Sequence, residues 1–285
     1  MNIPENNIEF LHWFKDKSEA FCSQDSEEEY WCHNAKWIGL TDTEIDEAEV
    51  KYDVKFSEEH RDFLRILHTL DRKQVVEREI SEEEPPYDYI ETIEVEDTFL
   101  YNWKSEDKAD VEEIRNRLNW PYETVFQDVE GSNKFWLKSW GKKPDSVEEQ
   151  KLIFGNWYEK APKLVPLYGH RFIVNDFSKQ ENPILSVWGS DIIVYGWNLR
   201  HYLLHEFGYL TDLDSEELYE KIFKKEFEKA KTKDISHWKE VILSWSSGWS
   251  SFGLKYPYPS NGPKRIVKAE PTDGDNNGKI FNSFN

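Results

Sequence analysis

The sequence predicts a mixed fold in which helices accompany an antiparallel β meander, and not an alternating parallel α/β sheet. Three observations predict it. Four short apolar runs between Lys163 and Gly196 are separated only by tight turns or a short polar stretch. Two start signals between Thr41 and Leu70 open consecutive amphipathic helices. In 285 residues, 13 Trp, 14 Tyr and 17 Phe supply ample apolar surface for a packed core.

The elements follow in order. Residues 1–36 are assigned to an N-terminal helical segment. In "TDTE", Thr41 can accept from the amide of Glu44 while the Glu44 carboxylate reaches back, so a helix begins there. It places Ile45 and Ala48 on one face and runs to about Tyr52. "SEEH" at Ser57 opens a second helix, with Phe63, Leu64, Leu67 and Leu70 at spacings of three and four. From Glu82 to Trp103 the texture changes: Pro85 and Pro86 break any helix, and "YIETIEVEDTFLYNW" alternates apolar and acidic residues. It reads as an edge strand or ordered insertion, whose glutamates discourage pairing with other chains. Ser105 is expected to cap a helix carrying Val111, Ile114 and Leu118 that stops at Pro121. Ser146 with Glu149 marks another helix start.

In the second half, "KLVPL", "HRFIVND", "NPILSVW" and "IIVYG" are strand candidates, and Gly189-Ser190 suits a two-residue hairpin turn. Asn198 is expected to cap the helix "LRHYLLHEF", with Gly208 ending it in a left-handed conformation. Beyond it, Leu218, Ile222 and Phe223, then Trp238, Val241, Ile242 and Trp245, recur at helical spacing, so residues 208–245 read as an appended helical extension. Residues 246–285 are rich in Gly, Pro, Ser and Asn and read as an irregular tail.

Charge narrows the function classes. Of the net −20, residues 1–100 hold −18, from 28 acidic and 10 basic side chains. "EREISEEEPPYDYIETIEVED", from Glu77 to Asp97, packs ten carboxylates against one arginine. Such a field repels phosphate backbones and attracts cationic proteins, so nucleic acid is not an expected partner and a basic protein is. A solvated loop that keeps the molecule soluble is the competing explanation. No apolar run approaches the length of a membrane helix, and "MNIPENNIEFLHWF" has no basic segment followed by an apolar one, so a cytoplasmic location is expected.

Other chemistries lack support. Cys22 and Cys32 are expected to be reduced, and with His33 they do not make a zinc spacing. His201 and His205 lie at i and i+4, but a zincin glutamate would stand where Tyr202 is, and no third ligand is marked. They read as partly exposed histidines near a helix C-terminus. The aromatic stretch "WSSGWSSFGLKYPYP" could offer a stacking surface, although aromatics holding down an irregular segment are commoner. No phosphate-binding glycine loop or nucleophile elbow occurs, so no catalytic residue, metal or cofactor is assigned.

"WIGLTDTEIDEAEVKYDVKFSEEHRDFL", from Trp37 to Leu64, resembles the opening helix pair of the SUKH superfamily, which includes fungal cell-wall-synthesis regulators and bacterial toxin-immunity proteins. "WYEKAPKLVPLYGHRFIV" followed by "NPILSVWGSDIIVYGWNLRHYLLHEF" looks like its later strands and closing helix. The resemblance implies an α+β fold over residues 37–207, a mostly antiparallel sheet packed with helices, with an acidic insertion near 77–103. It also implies a non-catalytic protein-binding scaffold, as in an immunity protein that neutralises a cognate toxin such as a nuclease. "HTLD" after the second helix, where many relatives turn through glycine, and the long insertion and extension depart from the pattern. The expected protein-binding residues are Glu82, Glu83, Glu84, Tyr87, Asp88, Tyr89, Glu91, Glu94, Glu96 and Asp97. A regulatory scaffold of the cell-wall-signalling type is the alternative, and a metal-dependent hydrolase using His201 and His205 a third.

Overall fold

The computed structural model describes residues 3–24, 32–81, 90–131, 134–211, 213, 223–224 and 235–257, with backbone alone over 74–81 and 90–98. The fold is α+β, with an antiparallel four-stranded sheet between two helical layers. Helix α1 (Asn7–Cys22) starts where the Asn6 side chain accepts from the amides of Ile8 and Glu9. Helix α2 (Asp42–Tyr52) has the full capping box: Thr41 Oγ1 accepts from the Glu44 amide at 3.3 Å, and Glu44 accepts from the Thr41 amide at 2.8 Å. Asp53 ends it at φ +50°, a left-handed position that aspartate tolerates.

Helix α3 (Glu58–Leu67) begins after Ser57 as expected, but the Ser57 side chain makes no capping bond. Its amide instead donates to the Asn175 Oδ1 atom at 2.8 Å, while Asn175 Nδ2 donates to the Lys55 carbonyl. A residue of the sheet thus holds the α2–α3 connection. Leu70, expected on α3, lies on a two-residue strand, β2 (Thr69–Leu70), paired antiparallel with β1 (Trp37–Ile38). The helix ends earlier because β1 draws the chain into pairing. Gly39 permits this approach, since a Cβ there would lie 1.9 Å from the Arg65 carbonyl oxygen.

A long hairpin follows, β3 (Lys73–Ser81) with β4 (Ile90–Thr98). The sequence reading placed a single strand in this region; it has a partner from the residues just before the diproline. Helix α4 (Lys108–Glu130) departs from expectation at both ends. Asp107, not Ser105, caps it by accepting from the Ala109 amide at 2.8 Å, and it runs through Pro121. An internal proline costs roughly 3 kcal/mol through its missing N–H and its clash with the preceding turn. Ile114, Val125 and Val129 nonetheless form one buried stripe with Pro121, the three each worth about 1.5–3 kcal/mol, so burial on both sides of the proline carries the helix across it.

After α5 (Val147–Tyr158), strands β5 (Lys163–Tyr168), β6 (Arg171–Asn175), β7 (Ile184–Trp188) and β8 (Asp191–Gly196) form the antiparallel meander in sequence order. Trp188 pairs with Asp191 across the Gly189-Ser190 turn, and Gly189 has φ +59°. Both sheet faces are covered. Val165, Leu167, Ile173 and Ile184 join the core made with α1, α2, α3 and α6 (Leu199–Phe207). Leu164, Phe172, Val174, Leu185, Val187, Ile192 and Val194 join a second core with α4, α5, α7 (Trp238–Ile242) and residues around α8 (Ser246–Ser251). Asn198 caps α6 by accepting from the His201 amide at 2.8 Å. Gly208 does not end it in a left-handed conformation; at φ −58° the chain tightens into a 3₁₀ turn, Gly208–Thr211.

The stretch from Ser246 is not irregular at its start, because α8 packs against β8. Ser251 Oγ accepts from the Val194 amide at 3.2 Å, and Trp238 donates to the Pro162 carbonyl at 2.8 Å. Trp238, Val241 and Ile242 are buried, so α7 belongs to the sheet's second core rather than to an appended unit. Residues Met1–Lys255 form one compact unit. Of the residues beyond Lys255, Tyr256 and Pro257 alone are described. Leu218 and Ile222 lie outside the described residues.

Two predictions test this packing. A Cβ at Gly248 would lie 1.7 Å from the Ile242 carbonyl oxygen, so Gly248→Ala is expected to destabilise the protein by about 1–3 kcal/mol in urea unfolding. His60 and His68 are buried beside Trp103, and neither His60 ring nitrogen has a hydrogen-bond partner. Burial pushes both imidazoles from 6.5 down to about 3; His68 adds to the effect on His60, and Lys104 to that on His68. The unfolded chain therefore binds more protons below pH 6.5, and stability present above that value is lost as pH falls. Between pH 7 and 5 the pair is expected to cost roughly 4 kcal/mol, at about 1.4 kcal/mol per histidine and pH unit below the unfolded value, and His60→Phe should lower the slope of unfolding free energy against pH by about 1.4 kcal/mol per pH unit between pH 6 and 5.

Candidate protein-binding interface

Hairpin register follows from the alternation of its residues. Glu77 stands directly opposite Glu94, Val75 opposite Glu96, and Glu79 opposite Thr92. Because successive residues of a strand belong to opposite faces, Glu77, Glu79, Glu94 and Glu96 share one face of the ribbon. Glu91 and Asp97, paired with Ile80 and Gln74, belong to the other face together with Val76, Arg78, Ile93 and Val95. The expected set is therefore divided. Glu94 and Glu96 stay together, Glu91 and Asp97 leave them, and Glu77 and Glu79 take their place. The signal was present in the sequence as two E-x-E spacings, but only pairing brings them to one surface. Glu82, Glu83, Glu84, Tyr87, Asp88 and Tyr89 lie outside the described residues.

Like charges directly opposite on a sheet are destabilising, and the register sets Glu77 directly opposite Glu94. Among the described residues β3 and β4 pair only with each other.

The acidic residues of α2 and α3 are arranged differently. Arg61 reaches Asp46 at 2.8 Å and Glu49 at 3.3 Å, while Arg65 reaches Asp42 at 2.8 Å, Glu58 at 2.9 Å and Asp62 at 2.5 Å. Hydrogen bonding and charge from Arg65 hold the Asp42 carboxyl below its ordinary range. Burial raises the Glu49 carboxyl, but Lys55 and the Phe56 amide outweigh it and leave it lowered. These carboxylates are answered within the fold by two arginines one turn apart on α3, which tie α3 to α2.

The two histidines of α6 part company. His201 is buried, not partly exposed, and its Nδ1 accepts from the Trp197 amide at 3.2 Å. The amide of the preceding turn needs that acceptor, which draws the ring inward. His205 is exposed and stacks on Tyr195 with centroids 4.6 Å apart. Glu206 lies 3.5 Å from Arg171. No group of three or more His, Cys, Asp or Glu able to hold a metal occurs among the described residues.

The aromatic stretch from Trp245 is used internally. Trp245 donates to Ser190, Trp249 donates to the Leu243 carbonyl at 2.8 Å, and Phe252 is buried. Among the described residues no helix is long and apolar enough to cross a membrane. Comparisons with protein-family models, curated proteins and solved structures find no match for the chain.

Replacing Glu94 by lysine puts opposite charges across the ribbon, and is expected to stabilise the hairpin by about 0.2–1 kcal/mol relative to the like-charged pair. Slower proteolytic cleavage within residues 73–98 at low ionic strength would register the gain; unchanged cleavage would mean that the two carboxylates do not repel.

Proposed function

We propose that the chain is a non-catalytic protein-binding scaffold that recognises a basic polypeptide through its acidic hairpin, and that it acts as an immunity protein neutralising a cognate toxin. The reading is carried by one observation: the register of β3 and β4 puts four glutamates on one face of a two-stranded ribbon and two of them directly opposite each other. A cationic partner relieves that repulsion, so the cost within the free chain becomes affinity in the complex. A toxin that binds phosphates presents a basic groove, and a ribbon of carboxylates can occupy it and be steered to it over long range. The resemblance of Trp37–Leu64, Trp157–Val174 and Asn182–Phe207 to SUKH proteins, many of them immunity proteins, points the same way.

The test begins with capture by the immobilised full-length chain from its source cells at low ionic strength, with elution by high salt. The captured protein is identified, produced separately and assayed for toxicity with and without this chain. Reversing Glu94 and Glu96, or Glu82, Glu83 and Glu84, to lysine is expected to slow association about tenfold at low salt and little at high salt. Association indifferent to both sets removes the hairpin from the interface, and a captured protein that harms no cell removes the immunity role.

A further inference from the structure

Cys22 ends α1, and Cys32 comes ten residues later in the chain. Both are buried in the core shared by α1, α2, α3 and α6. The returning chain is tied to the helix end at four points. The Asn34 amide donates to the Cys22 carbonyl at 2.7 Å and the Trp37 amide to the Glu19 carboxylate at 3.0 Å. The Trp37 indole donates to Ser18 Oγ at 2.8 Å, and the Lys36 ammonium meets Glu19 at 3.2 Å. On the far side, Arg72 donates to the His33 carbonyl. These ties and the turn in which the Ala35 amide donates to the Cys32 carbonyl at 2.8 Å bring Cys32 onto the end of α1, with both thiols in one buried cluster and each feeling the other. Once an oxidant has turned one of two neighbouring thiols into a mixed disulfide, the other attacks it at a high effective concentration.

We propose that Cys22 and Cys32 are a site of covalent modification, forming a reversible intrachain disulfide in the folded protein on exposure to a small disulfide oxidant such as oxidised glutathione. The inference is independent of the proposed binding function. One cysteine thiolate attacks the oxidant, releasing one reduced glutathione and leaving a mixed disulfide. The second cysteine attacks the protein sulfur of that bond and releases the second glutathione. Two cysteine S–H bonds and one glutathione S–S bond give way to one protein S–S bond and two glutathione thiols, with two electrons passing from the cysteines to the oxidant.

The reaction is slow at neutral pH. Burial, with a further contribution from Cys32, pushes the Cys22 thiol up to about 12, and Arg72 and Lys36 oppose the rise without cancelling it. Thiolate is the attacking species, so the rate climbs with pH while the equilibrium is set by geometry.

The test equilibrates the full-length chain with glutathione redox buffers in native conditions and again in denaturing urea. Disulfide is quantified by alkylation and intact mass, and located by a non-reducing peptide map. The constant for forming the Cys22–Cys32 bond is expected to be at least about tenfold larger in the native protein than in urea. Cys22→Ser and Cys32→Ser should each abolish the loss of two hydrogens. A native constant less than about tenfold above that in urea overturns the proposal, as does a glutathione adduct or an intermolecular dimer as the main native product. The comparison of the unsubstituted chain in the two solvents decides the question even where a serine variant does not fold.

Discussion

The structure depends on one constraint: the β5–β8 meander is buried on both faces. An antiparallel sheet with a single core leaves alternate residues to solvent, whereas here Phe172 and Ile173 point to different cores and both are fully buried. Each strand therefore needs cover from two sides, and the rest of the chain is arranged to provide it. Polar side chains bind those layers to the sheet. Asp128 of α4 accepts from both the amide and the hydroxyl of Ser190 at 2.7 Å, fixing the β7–β8 turn against the helix. Glu59 of α3 accepts from the Asn182 amide at 2.6 Å and the Leu199 amide at 3.2 Å, joining the approach to β7 with the start of α6. A buried carboxylate is costly alone, and two backbone donors offset that cost.

The same constraint divides the charge. On α2 and α3, Asp42, Asp46, Glu49, Glu58, Glu59 and Asp62 are matched by arginines or backbone amides. The hairpin stands in a sheet of its own, and the span from Glu77 to Asp97 contains one arginine against ten carboxylates. Acidity there is not needed to hold the two cores together. The proposed binding function rests on that contrast, which is sharper than the overall charge of −20.

Much of the fold was legible in the sequence where the cause is local. Thr41 and Glu44 make their capping box with atoms three residues apart, Asn198 caps α6 in the same way, and Gly189 supplies the positive φ that a two-residue turn requires. The strands of the meander were legible because short β-branched runs between turns can do little else. The candidate site was legible only in part. Its acidic composition could be read directly, but Glu77 and Glu79 belong with Glu94 and Glu96 only because β3 pairs with β4, a relation between residues well separated in sequence.

By itself, then, the sequence determined the caps, the turns, the order of the strands and the concentration of charge, all of which are set by neighbours along the chain. Tertiary structure alone decided the rest. Helix α4 continues past Pro121 because a stripe from Ile114 to Val129 is buried against other elements, and Leu70 leaves α3 because Trp37 offers it a strand to pair with. Trp238 and Phe252 join the core because β8 has a face and an edge to cover. Burial and pairing bring together parts of the chain that lie far apart in sequence, so no window of local sequence contains them.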